Sequence, residues 1–291
     1  MKTNSKPEPA WLLDYSKDVH SQTGEDGVLA KILEILPEND RWCVEFGAWD
    51  GIHLSNVRNL IVEQGYSAVL IEGSAEKCVE LEKNSAPYEG VIALNRFVGF
   101  TPEDNLDNIL KETPIPKGFD LLSIDVDGND YHIWKAISDY SPKVVCVEFN
   151  PTIPTEVEFV QEPDMSVSHG SSLRSLVGLG KEKGYELVSV LPYNAVFVRA
   201  EYFALFDIEN NAPEALRKFH DFVTYIFSGY DGHVFVRGCT TTPWHKRRIW
   251  ESKMQLLPKG LQRFPDNYNA LQRFFFKLCK VPDKLRQKFR G

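Results

Sequence analysis

FDLLSIDVDGNDYHIW, residues 119–134, passes from an apolar run into three aspartates and then into an apolar pattern with helical spacing. FDLLSIDV (119–126) is apolar on both faces, the signature of a strand covered on both sides of a parallel sheet. NDYHIWKAIS follows as a helix, so Asp125, Asp127 and Asp130 stand where a buried strand opens into a strand-to-helix turn. Strand alternation puts Asp125 and Asp127 on one face. Two such carboxylates repel and raise one pKa unless a cation lies between them. The run KVVCVEFN (143–150) ends in Glu148 and Asn150, also two apart. Four oxygen-bearing side chains then converge at adjacent strand ends, a donor set that suits magnesium, calcium or manganese. The alternative is purely local: Asp127 and Asn129 form an Asx-type turn and Asp130 caps the helix.

Similar short runs lie on either side. RWCVEFGA (41–48), SAVLIEG (67–73), GVIALNRFV (90–98), YELVSVL (185–191) and NAVFVRA (194–200) bring the strands to seven. Between them lie helical stretches SNVRNLIVEQG, SAEKCVELEKN, PEDNLDNILKE and SSLRSLVGLGKEKG, and GEDGVLAKILEIL precedes the first strand. This alternation predicts a Rossmann-like α/β fold with a mostly parallel seven-stranded sheet, helices on both faces, and a short antiparallel final pair. The expected organisation is a helical lead-in over 1–40, a sheet domain over 41–204, and a basic, aromatic, mainly helical extension over 205–291 packed on the core. In that extension PEALRKFHDFVTYIF reads as a helix.

The net charge of −8 conceals an asymmetry: residues 241–291 carry 13 Lys and Arg against 3 Asp and Glu, and residues 1–240 carry 20 against 38. A basic arm on an acidic body suits a solvated face docked on that body, or contact with an anionic substrate, lipid surface or nucleic acid. Five scattered cysteines without a CxxC pair argue against a disulfide framework or structural zinc. With no apolar run of membrane-spanning length and no apolar signal segment, the chain reads as soluble and cytoplasmic.

VEFGAWDG (44–51) lies where the first strand turns into a helix, and its glycines let backbone approach a ligand closely. The spacing is neither the GxGxxG of a dinucleotide fold nor a phosphate loop. The next strand ends in Glu72, about 25 positions on, where a carboxylate can accept both hydroxyls of a ribose.

Together VEFGAWDG, LIEG, DLLSIDVDGNDYHIW and VVCVEFNP resemble a class I S-adenosylmethionine-dependent methyltransferase, nearest the FkbM-type sugar O-methyltransferases that act in carbohydrate modification. The resemblance spans about residues 20–200, includes SQTGEDG (21–27), and does not reach the C-terminal segment. It implies that Glu45, Gly47 and Gly51 line the methionine and ribose portions of the cofactor, that Glu72 holds the ribose, and that Asp125 lies beside the methionine end. Gln22, Asn56 and Arg96 join that set, although Gln22 and Asn56 could equally cap helices. Related catechol-type and macrolide-sugar enzymes place metal ligands at these two strand ends, which favours Asp125, Glu148 and Asn150 as ligands of magnesium or manganese. Asp127 or His169 would deprotonate the acceptor, with His132 a further candidate. Tyr131, Trp134 and Trp49 could stack on a sugar or on adenine.

The implied activity is methyl transfer to a hydroxyl of a sugar, nucleotide sugar or glycosylated metabolite. Two other readings stay open: a non-catalytic binding protein on the same sheet, and an RNA methyltransferase using the basic tail. The acidic body and the lack of an NPPY-like sequence make a nucleic-acid partner the weaker expectation. The basic aromatic tail also allows peripheral contact with a membrane, and homo-oligomerisation is left open.

Overall fold

The structure, a computed structural model, describes residues 8–288, with side chains described to Cys279. By its internal contacts the chain forms two compact units, Met1–Phe219 and His220–Gly291.

In the first unit a 3-10 helix Trp11–Tyr15 leads into α1 (Glu25–Ile35), and seven strands follow: β1 (Trp42–Phe46), β2 (Ser67–Glu72), β3 (Val91–Asn95), β4 (Leu121–Ile124), β5 (Val144–Glu148), β6 (Tyr185–Val190) and β7 (Asn194–Arg199). The helices between them are α2 (Arg58–Gln64), α3 (Ala75–Ser85), α4 (Leu106–Leu110), α5 (Asp130–Ala136) and α6 (Leu173–Glu182), with α7 (Pro213–Leu216) after β7. Sheet order is β3-β2-β1-β4-β5-β7-β6. All neighbours are parallel except β7, which runs antiparallel to both β5 and β6. The mostly parallel α/β Rossmann-like fold is therefore present, with the antiparallel pair at the end of the chain's path through the sheet.

Both faces of the central strands are covered. Val44, Val69, Leu122 and Val145 on one face and Cys43, Ala68, Leu121 and Val144 on the other have no solvent exposure, and Trp134, Phe46, Phe119, Phe149, Phe197 and Phe206 are the bulkiest buried groups among the described residues. Each such aliphatic side chain contributes about 1.5–3 kcal/mol when removed from water, which is why β-branched and leucine runs fill these strands. At the N-terminal end of the sheet the Lys143 ammonium donates to the Glu38 carbonyl (2.9 Å), Asp40 (2.9 Å) and Asp120 (2.8 Å), tying β5 to the approach to β1.

The chain enters the sheet at β1, builds outward through β2 and β3, then crosses back to β4. That reversal leaves a crevice outside the C-terminal ends of β1 and β4, where ligands bind in open α/β sheets. VEFGAWDG and SIDVDGND run through the C-terminal ends of β1 and β4, and LIEG runs through that of the neighbouring β2.

The chain divides later than the composition suggests. Phe206, Ile208 and Leu216 belong to the core of the sheet unit, so that unit extends to Phe219 and not to residue 204. PEALRKFHDFVTYIF is not one helix. Only Pro213–Leu216 is helical; at Arg217 the backbone becomes extended, and the β-branched and aromatic residues form β8 (Thr224–Ser228) in the second unit. The extended backbone lets the buried Arg217 guanidinium donate to the carbonyls of Pro151 (2.6 Å) and Ile153 (2.9 Å). In the second unit β8 pairs antiparallel with β9 (Val234–Gly238), several short 3-10 turns follow, and α8 (Ala270–Lys288) closes the described chain. Among the described residues no helix is long and apolar enough to cross a membrane.

Candidate active site

The turn after β1 is shaped by contact with the turn after β4. Gly47 has φ +70°, and a Cβ there would lie 2.2 Å from the Asp125 carbonyl oxygen, so any side chain is excluded. Gly51, at φ +72°, closes the turn by donating its N–H to the Ala48 carbonyl at 2.8 Å. Glu72 at the end of β2 is buried, and its two oxygens accept the backbone N–H of Trp49 (2.9 Å) and of Ser74 (2.7 Å). One carboxylate thus joins the glycine turn to the start of α3. Each oxygen keeps a further lone pair for a ligand hydroxyl.

Glu45 works mainly on the protein itself. Its oxygens accept the Ser55 hydroxyl (2.6 Å) and the Asn56 N–H (2.7 Å), holding the loop before α2 against the sheet. Burial, which outweighs these hydrogen bonds, pushes its carboxyl up to about 7. Asn56 is likewise buried, and its amide donates to Ser123 Oγ on β4 at 3.1 Å. The resemblance implies a place beside the cofactor for both residues; their hydrogen bonds here brace the loop before α2 against β1 and β4.

The acidic turn after β4 is organised by Asp130. Its carboxylate reaches back to accept the N–H groups of Val126 and Gly128, both at 3.0 Å, and turns the chain so that Asp127 takes φ +55°. The strand ends at Ile124, so alternation no longer governs these side chains. Asp127 nevertheless meets Asp125, by way of the left-handed turn. One carboxylate oxygen from each of Asp125, Asp127 and Glu148 lies within 4.8 Å of the other two.

The electrostatic consequence is large. Burial, then the charges of Asp130 and Asp127, raise Asp125 to about 8. Asp130 is raised to about 6, chiefly by burial, although backbone N–H groups oppose the shift. Glu148 is pushed well above the usual carboxylate range by burial and by Asp125. Asp127 is exposed at the mouth of the group. Near neutral pH the cluster retains protons that ordinary carboxyls would have lost.

Asn150 does not complete this group. Its Nδ2 donates to the His169 carbonyl (2.7 Å), and its Oδ1 accepts the N–H (2.9 Å) and hydroxyl (2.6 Å) of Thr152. The amide is occupied in tying the His169 segment to the end of β5. His169 itself is 63% exposed, with Nδ1 3.9 Å from Glu162 Oε2. His132 turns Nε2 to the Gln161 carbonyl at 2.8 Å. Trp134 is buried between Tyr185 and Phe197 as a core residue, whereas Trp49 is exposed with the Lys77 ammonium 4.7 Å above its ring.

Three contributors are not apparent from sequence patterns. Gln161, buried in a loop, accepts the N–H groups of His169 and Gly170 at 2.8 Å each and positions that segment. Glu25 in SQTGEDG accepts the Asn194 amide at 3.1 Å, linking the lead-in to β7 across 169 residues. Phe97 is exposed beside Gly73, one position past Glu72, and offers an aromatic face near the end of β2. Only its placement after a strand of the same sheet could have signalled it.

No family model and no curated protein sequence matches the chain. Solved structures similar to it include a SAM-dependent methyltransferase from Aquifex aeolicus, at 13% identity over 66% of this chain and 97% of that one, with a TM-score of 0.36. The CMeT domain of the citrinin polyketide synthase matches at 13% identity over 60% of this chain and 51% of the other, TM-score 0.39. The mitomycin 7-O-methyltransferase matches at 15% over 60% and 54%, TM-score 0.34, so this chain spans about half the length of these last two proteins. Likeness at this level leaves the functional reading to the site of this chain.

Proposed function

We propose that the protein is an S-adenosylmethionine-dependent O-methyltransferase acting on a hydroxyl of a sugar, nucleotide sugar or glycosylated metabolite. The observation that carries the reading is the Glu72 carboxylate, locked to the glycine turn through Trp49 N–H and still able to accept ribose hydroxyls at the sheet's crossover crevice. The surrounding residues suit the rest of such a cofactor. Phe97 supplies an aromatic face beside Gly73, the residue after Glu72. The ordered motif resemblance supports the sugar as acceptor class.

When bound, S-adenosylmethionine supplies an electrophilic methyl group on sulfur. The protein must then align the acceptor oxygen and remove its proton. Asp127, the exposed member of the carboxylate group, is the proposed acceptor of that proton, and Asp125 and Glu148 beside it, kept protonated by burial, can hydrogen-bond to it. His169, on the segment anchored by Gln161 and Asn150, is the second candidate base. The all-oxygen donor set of Asp125, Asp127 and Glu148 also suits magnesium or manganese, which would lower the acceptor's pKa. In this version Asp127 takes the place expected for Asn150.

The test is methyl transfer from labelled S-adenosylmethionine to a panel of sugars, nucleotide sugars and glycosides, with and without a chelator. Transfer to a sugar hydroxyl that falls at least about tenfold in Asp127→Asn supports the reading. Transfer only to RNA, or none to any glycan, removes the proposed acceptor class. Chelator sensitivity restored by manganese identifies the metal-assisted version.

A further inference from the structure

Residues 220–291 carry 14 Lys and Arg against 5 Asp and Glu, in a chain whose totals are 33 against 41. The sequence of α8 alone has six Lys or Arg and one Asp. Over its described side chains, residues 270–279, this helix is divided lengthwise. Gln272 is buried, its amide donating to the Leu261 carbonyl at 3.4 Å, and Phe276 stacks edge-on with Tyr268 at 5.5 Å. That side packs within the second unit. Leu271, Phe274 and Leu278, spaced three and four apart, are on another face and are 59%, 61% and 56% exposed. Exposed Arg273 and Lys277 flank the stripe.

A helix with one apolar stripe to solvent and cations along its border has the form of a segment that lies in a membrane interface. Aromatic groups elsewhere in the same unit are also exposed, among them Tyr230 at 92%, and Trp244 and Trp250 bracket the basic run His245–Arg248. Single-stranded nucleic acid would use cations and aromatic faces, but it gives no return for exposed aliphatic chains such as Leu271 and Leu278. An acyl boundary does.

We propose that α8 docks the protein on an anionic lipid surface, with Leu271, Phe274 and Leu278 entering the headgroup–acyl boundary and the flanking Arg and Lys contacting lipid phosphate. The combination supplies the two signals that stable peripheral binding needs. It would put a methyltransferase of this kind beside lipid-linked acceptors, although the docking stands without that activity.

The test is co-sedimentation of the full chain with vesicles of phosphatidylcholine alone and of phosphatidylcholine with phosphatidylglycerol, at low and high salt. Binding to the anionic vesicles, at least about tenfold stronger than to the neutral ones and weakened by salt, is expected. Leu271→Ser/Phe274→Ser/Leu278→Ser and Arg273→Glu/Lys277→Glu should each lower it about tenfold or more, with circular dichroism confirming that the variants are folded. Equal binding to both vesicle types by the unaltered chain, no binding to either, or retention on single-stranded RNA in place of vesicles would overturn the proposal. Undiminished binding by the folded triple serine variant would do so too.

Discussion

Asp125 shows how one residue can carry both the promise and the strain of this site. It is half-buried beside Asp127 and Glu148, and its carboxyl is pushed up to about 8, mainly because burial disfavours its charge. The native state therefore binds more protons than the unfolded chain between the ordinary carboxylate range near 4 and about pH 8. The stabilising contribution of this protonation is fully present below the unfolded pKa and is lost as pH rises through about 8. We expect thermal stability to fall from pH 5.5 to 8.5, and Asp125→Asn to flatten that slope and raise stability at pH 8.5 by at least about 1 kcal/mol. Melting curves at several pH values check this. An Asn variant with the slope of the unaltered protein would mean that the acidic group titrates normally. Magnesium or manganese, if held there, should oppose the slope by favouring the charged carboxylates.

At the scale of elements, the site depends on turns that meet across the sheet. The approach of the β1 turn to Asp125 leaves no room at Gly47, where an added Cβ would clash with backbone. Gly47→Ala should destabilise the protein by about 2 kcal/mol or more, combining strain at positive φ with that clash. Arg217→Ala should cost about 2–4 kcal/mol, because the carbonyls of Pro151 and Ile153 lose a buried, charge-assisted donor. Urea titrations measure both; a loss below about 0.5 kcal/mol for either contradicts the assigned contact. The sheet was legible in the sequence because strands buried on both faces must be written as continuous Val, Ile and Leu runs. The acidic turn was only half legible. Asp125 and Asp127 do meet, but through a positive-φ turn set by Asp130 and not through strand alternation. FVTYIF was misleading because its apolar spacing allows a helix, while its β-branched and aromatic side chains and its pairing with VFVRG decide for a strand. Links such as Glu25 to Asn194 have no local signature, since nothing in a short window records a partner 169 positions away.

For the molecule as a whole, the distribution of charge and the path of the chain suggest a division of labour. The sheet unit gathers Asp125, Asp127 and Glu148 into one group, while residues 220–291 gather basic and aromatic side chains. The central claim concerns the first of these: that the crevice holds S-adenosylmethionine with Glu72 on its ribose. Isothermal titration of the full-length protein with S-adenosylhomocysteine tests it most directly. The account predicts one-to-one binding, weakened at least about tenfold in a folded Glu72→Ala variant that has lost the ribose acceptor. No binding by the unaltered protein, or the same affinity in both proteins, would contradict it.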